Sequence, residues 1–174
     1  MADPSIFDVI RIPAPALIAL DWRPYHFALQ PYHYLVRAAH ILSMSLFIGG
    51  IGVLDLRLMG WGGRTVTLKP FADQVLPWIR WTFTVAAVGG VALFFYDPVH
   101  AGSRAYWTPK LIVIALGLAN AALFHRTSYV SALAAEAQLP VSSRMAGAFS
   151  LGVWMAVVAL SCLNTESVPR VLLR

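Results

Sequence analysis

Long apolar stretches alternate with short polar segments along the whole chain. Four windows contain no Asp, Glu, Lys or Arg: 38–54, 81–96, 111–124 and 145–165. A helix needs roughly 20 largely apolar residues to cross a bilayer. The second and third windows reach that length once their flanking aromatic and basic side chains are included, because such side chains belong at the membrane interface. The pattern therefore predicts four transmembrane helices.

The predicted helices are joined by short loops that contain proline. We place the helices at about residues 32–58, 77–97, 106–126 and 144–164. Pro70 and Pro77 are expected to bracket the first loop, Pro98 lies in the second, and Pro140 closes the third. Helices joined by short loops are antiparallel neighbours, so the predicted fold is all-α, an up-down four-helix transmembrane bundle.

Shorter segments flank the predicted bundle at 32–166. Residues 1–31 include "IPAPALIAL" at 12–20, which is too short to span a membrane and is interrupted by two prolines. Aromatic residues follow it closely, so we predict a segment that lies at the membrane interface. Residues 167–174 are predicted to form a C-terminal tail.

Composition strengthens the membrane interpretation. Hydrophobic residues make up 59% of the 174 residues and charged residues only 12%, whereas a soluble domain carries about 25% charged residues. The single cysteine, Cys162, excludes an internal disulfide and a cysteine-based metal cluster. The net charge of +5 is modest and fits membrane topology, so nucleic acid is not an expected partner. The expected partners are the lipid bilayer and either other protein subunits or further copies of the chain.

Basic residues near the helix ends predict the orientation. We call the face that holds the N-terminus side A and the opposite face side B. Side B has basic residues at the helix ends and in its loops, namely Arg57, Arg64, Lys69, Arg80, Arg126 and Arg144. Such residues favour the cytoplasm. We therefore expect side B to face the cytoplasm and the N-terminus to lie on the opposite, periplasmic side of the membrane.

Ionisable residues gather on side A of the predicted bundle. They are His33, His40, His100 and Lys110. His40 follows His33 by seven residues, so it lies about 10 Å deeper on nearly the same helix face. An imidazole at that depth needs a hydrogen-bond partner or a metal. An ionisable group inside a span indicates a functional site.

Haem b is the cofactor that this cluster would suit. His40 offers an imidazole ligand, and the opposite ligand would be Met155, Lys110 or, if the second helix extends past Pro98, His100. Arg37, one turn before His40, is placed to pair with a haem propionate. Glycines of the predicted helices would open a cleft for the macrocycle; the alternative is that they are helix contact points. Interfacial roles for His33 and His100, core packing of Met155 and snorkelling of Lys110 also remain open.

A second polar group lies at the side B end of the bundle. Asp55 and Arg57 are two residues apart, so they do not face each other on one helix. We expect them to meet groups on the third or fourth helix, such as Asn120 and His125. This group is interpreted as a structural pin at the membrane boundary rather than as a reactive site.

Two motifs resemble a known group of proteins. "HILSMSLFIGGIGVLDLRLMG" (40–60) and "YWTPKLIVIALGLANAALFH" (106–125) closely resemble a family of bacterial four-helix inner-membrane proteins of unknown function. A more distant similarity is to the four-helix domains of CopD-type copper-resistance proteins and HemJ-type protoporphyrinogen oxidases. That resemblance implies a haem-associated histidine at His40 and a functional lysine at Lys110. The chain differs from the HemJ type in having Asp55.

These observations predict a b-type cytochrome-like membrane subunit. It would pass electrons between a quinone or a periplasmic partner and a larger complex. Two alternatives remain: a porphyrin-oxidising enzyme of the HemJ type, and a haem-free anchor or assembly subunit.

Overall fold

The computed structural model describes residues 10–61, 68–135 and 139–165, and these residues form helices and connecting turns. The predicted tail at 167–174 and Arg64 lie outside the described residues. A 3-10 turn at Gln30–Tyr32 joins the second and third helices. The described α-helices are α1 Ala14–Ala19, α2 Arg23–Leu29, α3 His33–Leu58, α4 Leu68–Tyr96, α5 Pro98–Gly102, α6 Trp107–Thr127, α7 Tyr129–Ala134 and α8 Val141–Thr165.

Four of these helices are long and apolar enough to cross a membrane: α3, α4, α6 and α8. A soluble helix buries one apolar stripe and exposes a polar face. Helix α6 instead has Gly117 as its single buried residue and exposes leucines and isoleucines. Such a surface matches hydrocarbon. The predicted four-helix membrane fold is therefore confirmed.

The four long helices pack in the order α4, α3, α8, α6. An aromatic cluster holds the middle of the bundle, where the Phe47 ring lies 4.6 Å from Trp154 and 5.1 Å from Phe83 between centroids. Within the described residues, α4 and α6 make few direct contacts, so the fourth side of the bundle is only loosely closed. It is bridged on side A by the stacked rings of Phe94 and Trp107, and on side B by α7, which packs against α4.

Helix α4 begins nine residues earlier than predicted, and its two prolines do not bracket a loop. Pro70 lies in the first turn, where backbone N–H groups have no helical partner and the missing donor costs little. Pro77 lies inside the helix. It removes one backbone hydrogen bond, which membrane helices tolerate when neighbouring groups compensate. The prediction that Pro77 starts the helix was therefore wrong.

Helix α3 ends in a glycine-dependent cap. Gly60 has φ +93°, a conformation that glycine adopts without strain. Its N–H donates to the Arg57 carbonyl, and the Trp61 N–H donates to the Leu56 carbonyl. This pair of bonds is a Schellman motif, which satisfies carbonyls that the helix end leaves free.

The N-terminal segment packs on side A. Leu17 of α1 is buried against Gly102 of α5, so this segment covers the linker between α4 and α6. Trp22, Phe27 and Tyr32 are exposed, as aromatic residues at a membrane interface are expected to be.

Candidate functional site

His40 is held in a single orientation between α3 and α4. Its Nδ1 lies 2.7 Å from the Ala86 carbonyl oxygen. A carbonyl can only accept a hydrogen bond, so Nδ1 carries a proton and, in the neutral ring, Nε2 keeps its lone pair. Ligating histidines in metal sites are oriented by the same kind of bond from the other ring nitrogen. His40 is therefore prepared to act as a ligand or a proton acceptor through Nε2.

Gly89 and Gly90 make room for the imidazole itself. A Cβ at Gly89 would lie 3.2 Å from the His40 Cβ, and one at Gly90 would lie 3.1 Å from the His40 Cε1. Both distances are tighter than ordinary van der Waals contact. The space at these two glycines is thus filled by the histidine side chain, and the helix-contact interpretation is confirmed there.

Lys110 lies in the first turn of α6, on the same side of the bundle as His40 and within electrostatic range of its ring. The Lys110 Nζ lies 4.6 Å from the centroid of the Trp107 ring, a cation–π contact. Trp107 in turn stacks on Phe94, and its Nε1 is buried with no hydrogen-bond partner. Side A therefore combines an oriented imidazole, an ammonium group and an unpaired donor.

The other predicted cofactor residues are not brought to this pair. His33 stacks on Tyr96. The Nε2 of His100 lies 2.9 Å from the Arg104 Nη2, and His100 belongs to the separate helix α5, because α4 ends before Pro98. Arg37 is exposed, and Met155 is 50% exposed on α8. Within the part of the chain that the structure describes, no three His, Cys, Asp or Glu side chains group as metal ligands.

Asp55 is the most buried ionisable residue among those described, with 2% of its surface exposed. Its carboxyl group interacts with the side chain of Ser150 on α8, while its Oδ2 has no hydrogen-bond partner. Gly147 allows this close approach of the two helices, since a Cβ there would lie 2.9 Å from the Asp55 carbonyl oxygen.

The predicted partners of Asp55 contact other groups. The Nδ2 of Asn120 donates to the Ala146 carbonyl oxygen at 3.1 Å, so Asn120 pins α6 to α8. The His125 ring lies 4.7 Å from that of Tyr129. Arg57 lies in the last turn of α3. Ser150 lies on the fourth predicted helix, where a partner of Asp55 is expected, but no motif singles it out; the small residues at 143, 147 and 150 mark one face of α8.

A cavity of about 270 Å³ lies beside Asp55 in the side B half of the bundle. Its walls are mainly apolar and aromatic, including Phe47, Phe83, Phe124 and Trp154. Asp55, Asn120, Ser150 and His125 are among its polar lining residues. Neither His40 nor Lys110 lines it. The molecule thus has two separate polar sites, one on each side of the aromatic cluster.

Comparison of the chain with family models, curated proteins and solved structures finds no match in any of the three.

Proposed function

We propose that the protein is a membrane redox subunit that binds haem b through His40. The observation that carries the proposal is the hydrogen bond from His40 Nδ1 to the Ala86 carbonyl. It fixes the ring and leaves Nε2 free for iron. A bound haem b would supply one-electron redox chemistry.

The donor set near His40 fits such a cofactor. Axial haem ligands are nitrogen or sulfur atoms held on helices that face each other. His40 offers a nitrogen donor from α3, and Lys110 offers a second from α6 once its ammonium group loses a proton; both lie on side A. Gly89 and Gly90 leave room for the imidazole. The Ala86 carbonyl keeps the ring proton on Nδ1, so Nε2 is the nitrogen available to iron.

The test is the absorption spectrum of the full chain purified in mild detergent after incubation with hemin. We expect a Soret band, a reducible α-band and a positive pyridine haemochrome assay. His40→Ala should remove all three. His125→Ala deletes an imidazole in the other half of the bundle and should leave them intact. A folded wild-type preparation that stays colourless would refute haem binding and favour the haem-free anchor.

A glycine pair provides a finer control on the geometry. Gly90→Ala places a methyl group 3.1 Å from the His40 Cε1, whereas Gly49→Ala meets nothing within 4 Å. Gly90→Ala should therefore shift the haem spectrum or lower its occupancy, and Gly49→Ala should do neither. Equal spectra would show that the His40 ring is not the ligand.

A porphyrin-oxidising enzyme is the second candidate. Its support is that His40 and Lys110, the two residues that the HemJ-type resemblance singles out, lie close enough to interact. Complementation of a strain that lacks protoporphyrinogen oxidase distinguishes the two proposals, because an electron-transfer subunit would not restore growth.

We also propose a bacterial inner-membrane location with the N-terminus in the periplasm. Lys69 and Arg126 lie at the side B ends of α4 and α6 and support a cytoplasmic side B. A protein partner or a second copy is proposed as well, because Gly117 is the single buried residue of α6 and the helix leaves a face free for another helix.

A further inference from the structure

The side B cavity has an opening and a polar end. Four of its lining residues are exposed: Arg80 on α4, and Leu118, Ala121 and His125 on α6. These helices border the loosely closed side of the bundle. Phe47 and Asp55, which also line the cavity, are buried on α3. A molecule dissolved in the bilayer can therefore enter between α4 and α6.

The chemistry of the cavity limits what can occupy it. Its aromatic walls suit a flat apolar ring. Asp55 Oδ2 is buried and unpartnered, and an unmet hydrogen bond in such a place is costly. A hydrocarbon chain would fill the space but leave Oδ2 unpaired. A ring with an oxygen substituent satisfies both the walls and the carboxyl group.

We propose that this cavity binds the head group of a lipid-soluble quinone, with the Asp55 carboxyl group turned to hydrogen-bond one ring oxygen. A quinol hydroxyl donates to a carboxylate, and a quinone carbonyl accepts from a protonated carboxyl group, so either form of the ligand pairs with Asp55. His125 lies at the opening and is available to the second ring oxygen. The volume of about 270 Å³ accommodates a single ring, and the isoprenoid tail stays in the bilayer.

The site is inferred from the cavity and Asp55 alone, whereas the choice of a quinone among oxygen-bearing lipids rests on the proposed redox function. The cavity begins at Phe47, which follows His40 by seven residues, or about 10 Å along α3. A quinone in the cavity would therefore contact α3, the helix that also carries the proposed haem ligand.

The test is titration of the purified full chain with decylubiquinone, followed by quenching of tryptophan fluorescence, since Trp154 lines the cavity. Saturable binding is expected. Asp55→Leu keeps the branched shape of the side chain, with larger methyl groups in place of the oxygen atoms, but removes the hydrogen bond, and should weaken binding about tenfold. Decylbenzene, which has no oxygen atoms, should not compete. Equal competition by decylbenzene would show that the occupant is a hydrocarbon chain and would overturn the proposal.

A matched pair of variants at the opening tests the site even if the Asp55 variant does not fold. Ala121 and Ala119 are both exposed on α6, but only Ala121 lines the cavity. Ala121→Trp should block decylubiquinone binding, and Ala119→Trp should not. Binding that is unchanged in Ala121→Trp would refute the site.

This experiment distinguishes a failure of the haem proposal from a failure of the quinone proposal. The titration is repeated on His40→Ala, which should lack haem and still bind decylubiquinone. A colourless wild-type protein that binds the quinone refutes the proposed haem function and keeps the cavity site. A haem-bearing protein without saturable quinone binding refutes the cavity site alone.

Discussion

The contact between α3 and α8 at Gly147 allows a quantitative test of the packing. A Cβ built on Gly147 would lie 2.9 Å from the Asp55 carbonyl oxygen and 2.9 Å from the Leu58 Cβ. Neither atom is the end of a flexible side chain. Because ordinary contacts begin at 3.4 Å, an alanine there requires the two helices to separate by about 0.5 Å or more.

Gly152, on the same helix, is the matched control, since a Cβ at that position meets nothing within 4 Å. Each Gly→Ala change gains about 1 kcal/mol of helix propensity. This gain cancels when the two variants are compared. The remaining difference is the cost of overpacking, about 1–3 kcal/mol. We therefore expect Gly147→Ala to be less stable than Gly152→Ala by that amount.

Reversible unfolding by SDS in mixed micelles, followed by helical circular dichroism, measures both free energies of unfolding. The displacement should also disturb the Asp55–Ser150 pair, since Ser150 lies one turn from Gly147. Gly147→Ala should then weaken decylubiquinone binding as well. Equal unfolding free energies for the two variants would refute the close approach of α3 and α8 on which the Asp55 site depends.

Two further predictions concern the α6–α8 pin and the orientation in the membrane. Asn120→Leu removes the interhelical hydrogen bond and should cost about 0.6 kcal/mol, up to about 1.7, in the same unfolding assay; Thr84→Val removes a bond within one helix and should cost less. In a Cys162→Ser background, a membrane-impermeant maleimide should label Ser103→Cys on intact cells and Ser131→Cys only after lysis. Both serines are exposed, on sides A and B respectively. The reverse labelling pattern would overturn the proposed periplasmic N-terminus.

Hydropathy predicted the membrane spans because it is a local property of the chain. Every backbone group in a bilayer must be satisfied within its own helix, so an apolar run of sufficient length is enough to indicate a span. The depth of His40 follows from the same count along the helix. The predicted start of α4 is wrong because proline usually marks a loop. In the first turn of a helix a proline costs little, and further inside a membrane helix it is tolerated.

The sequence by itself determined four apolar helices, their antiparallel order and the presence of ionisable residues at two depths. Only the tertiary structure decided that Gly89 and Gly90 enclose the His40 ring, that Asp55 meets Ser150 rather than Asn120 or His125, and that a cavity lies beside it. The physical reason is that these helices are apolar on nearly all faces. Their rotation and register depend on close packing between small and large side chains, and the hydropathy of the sequence does not specify that packing.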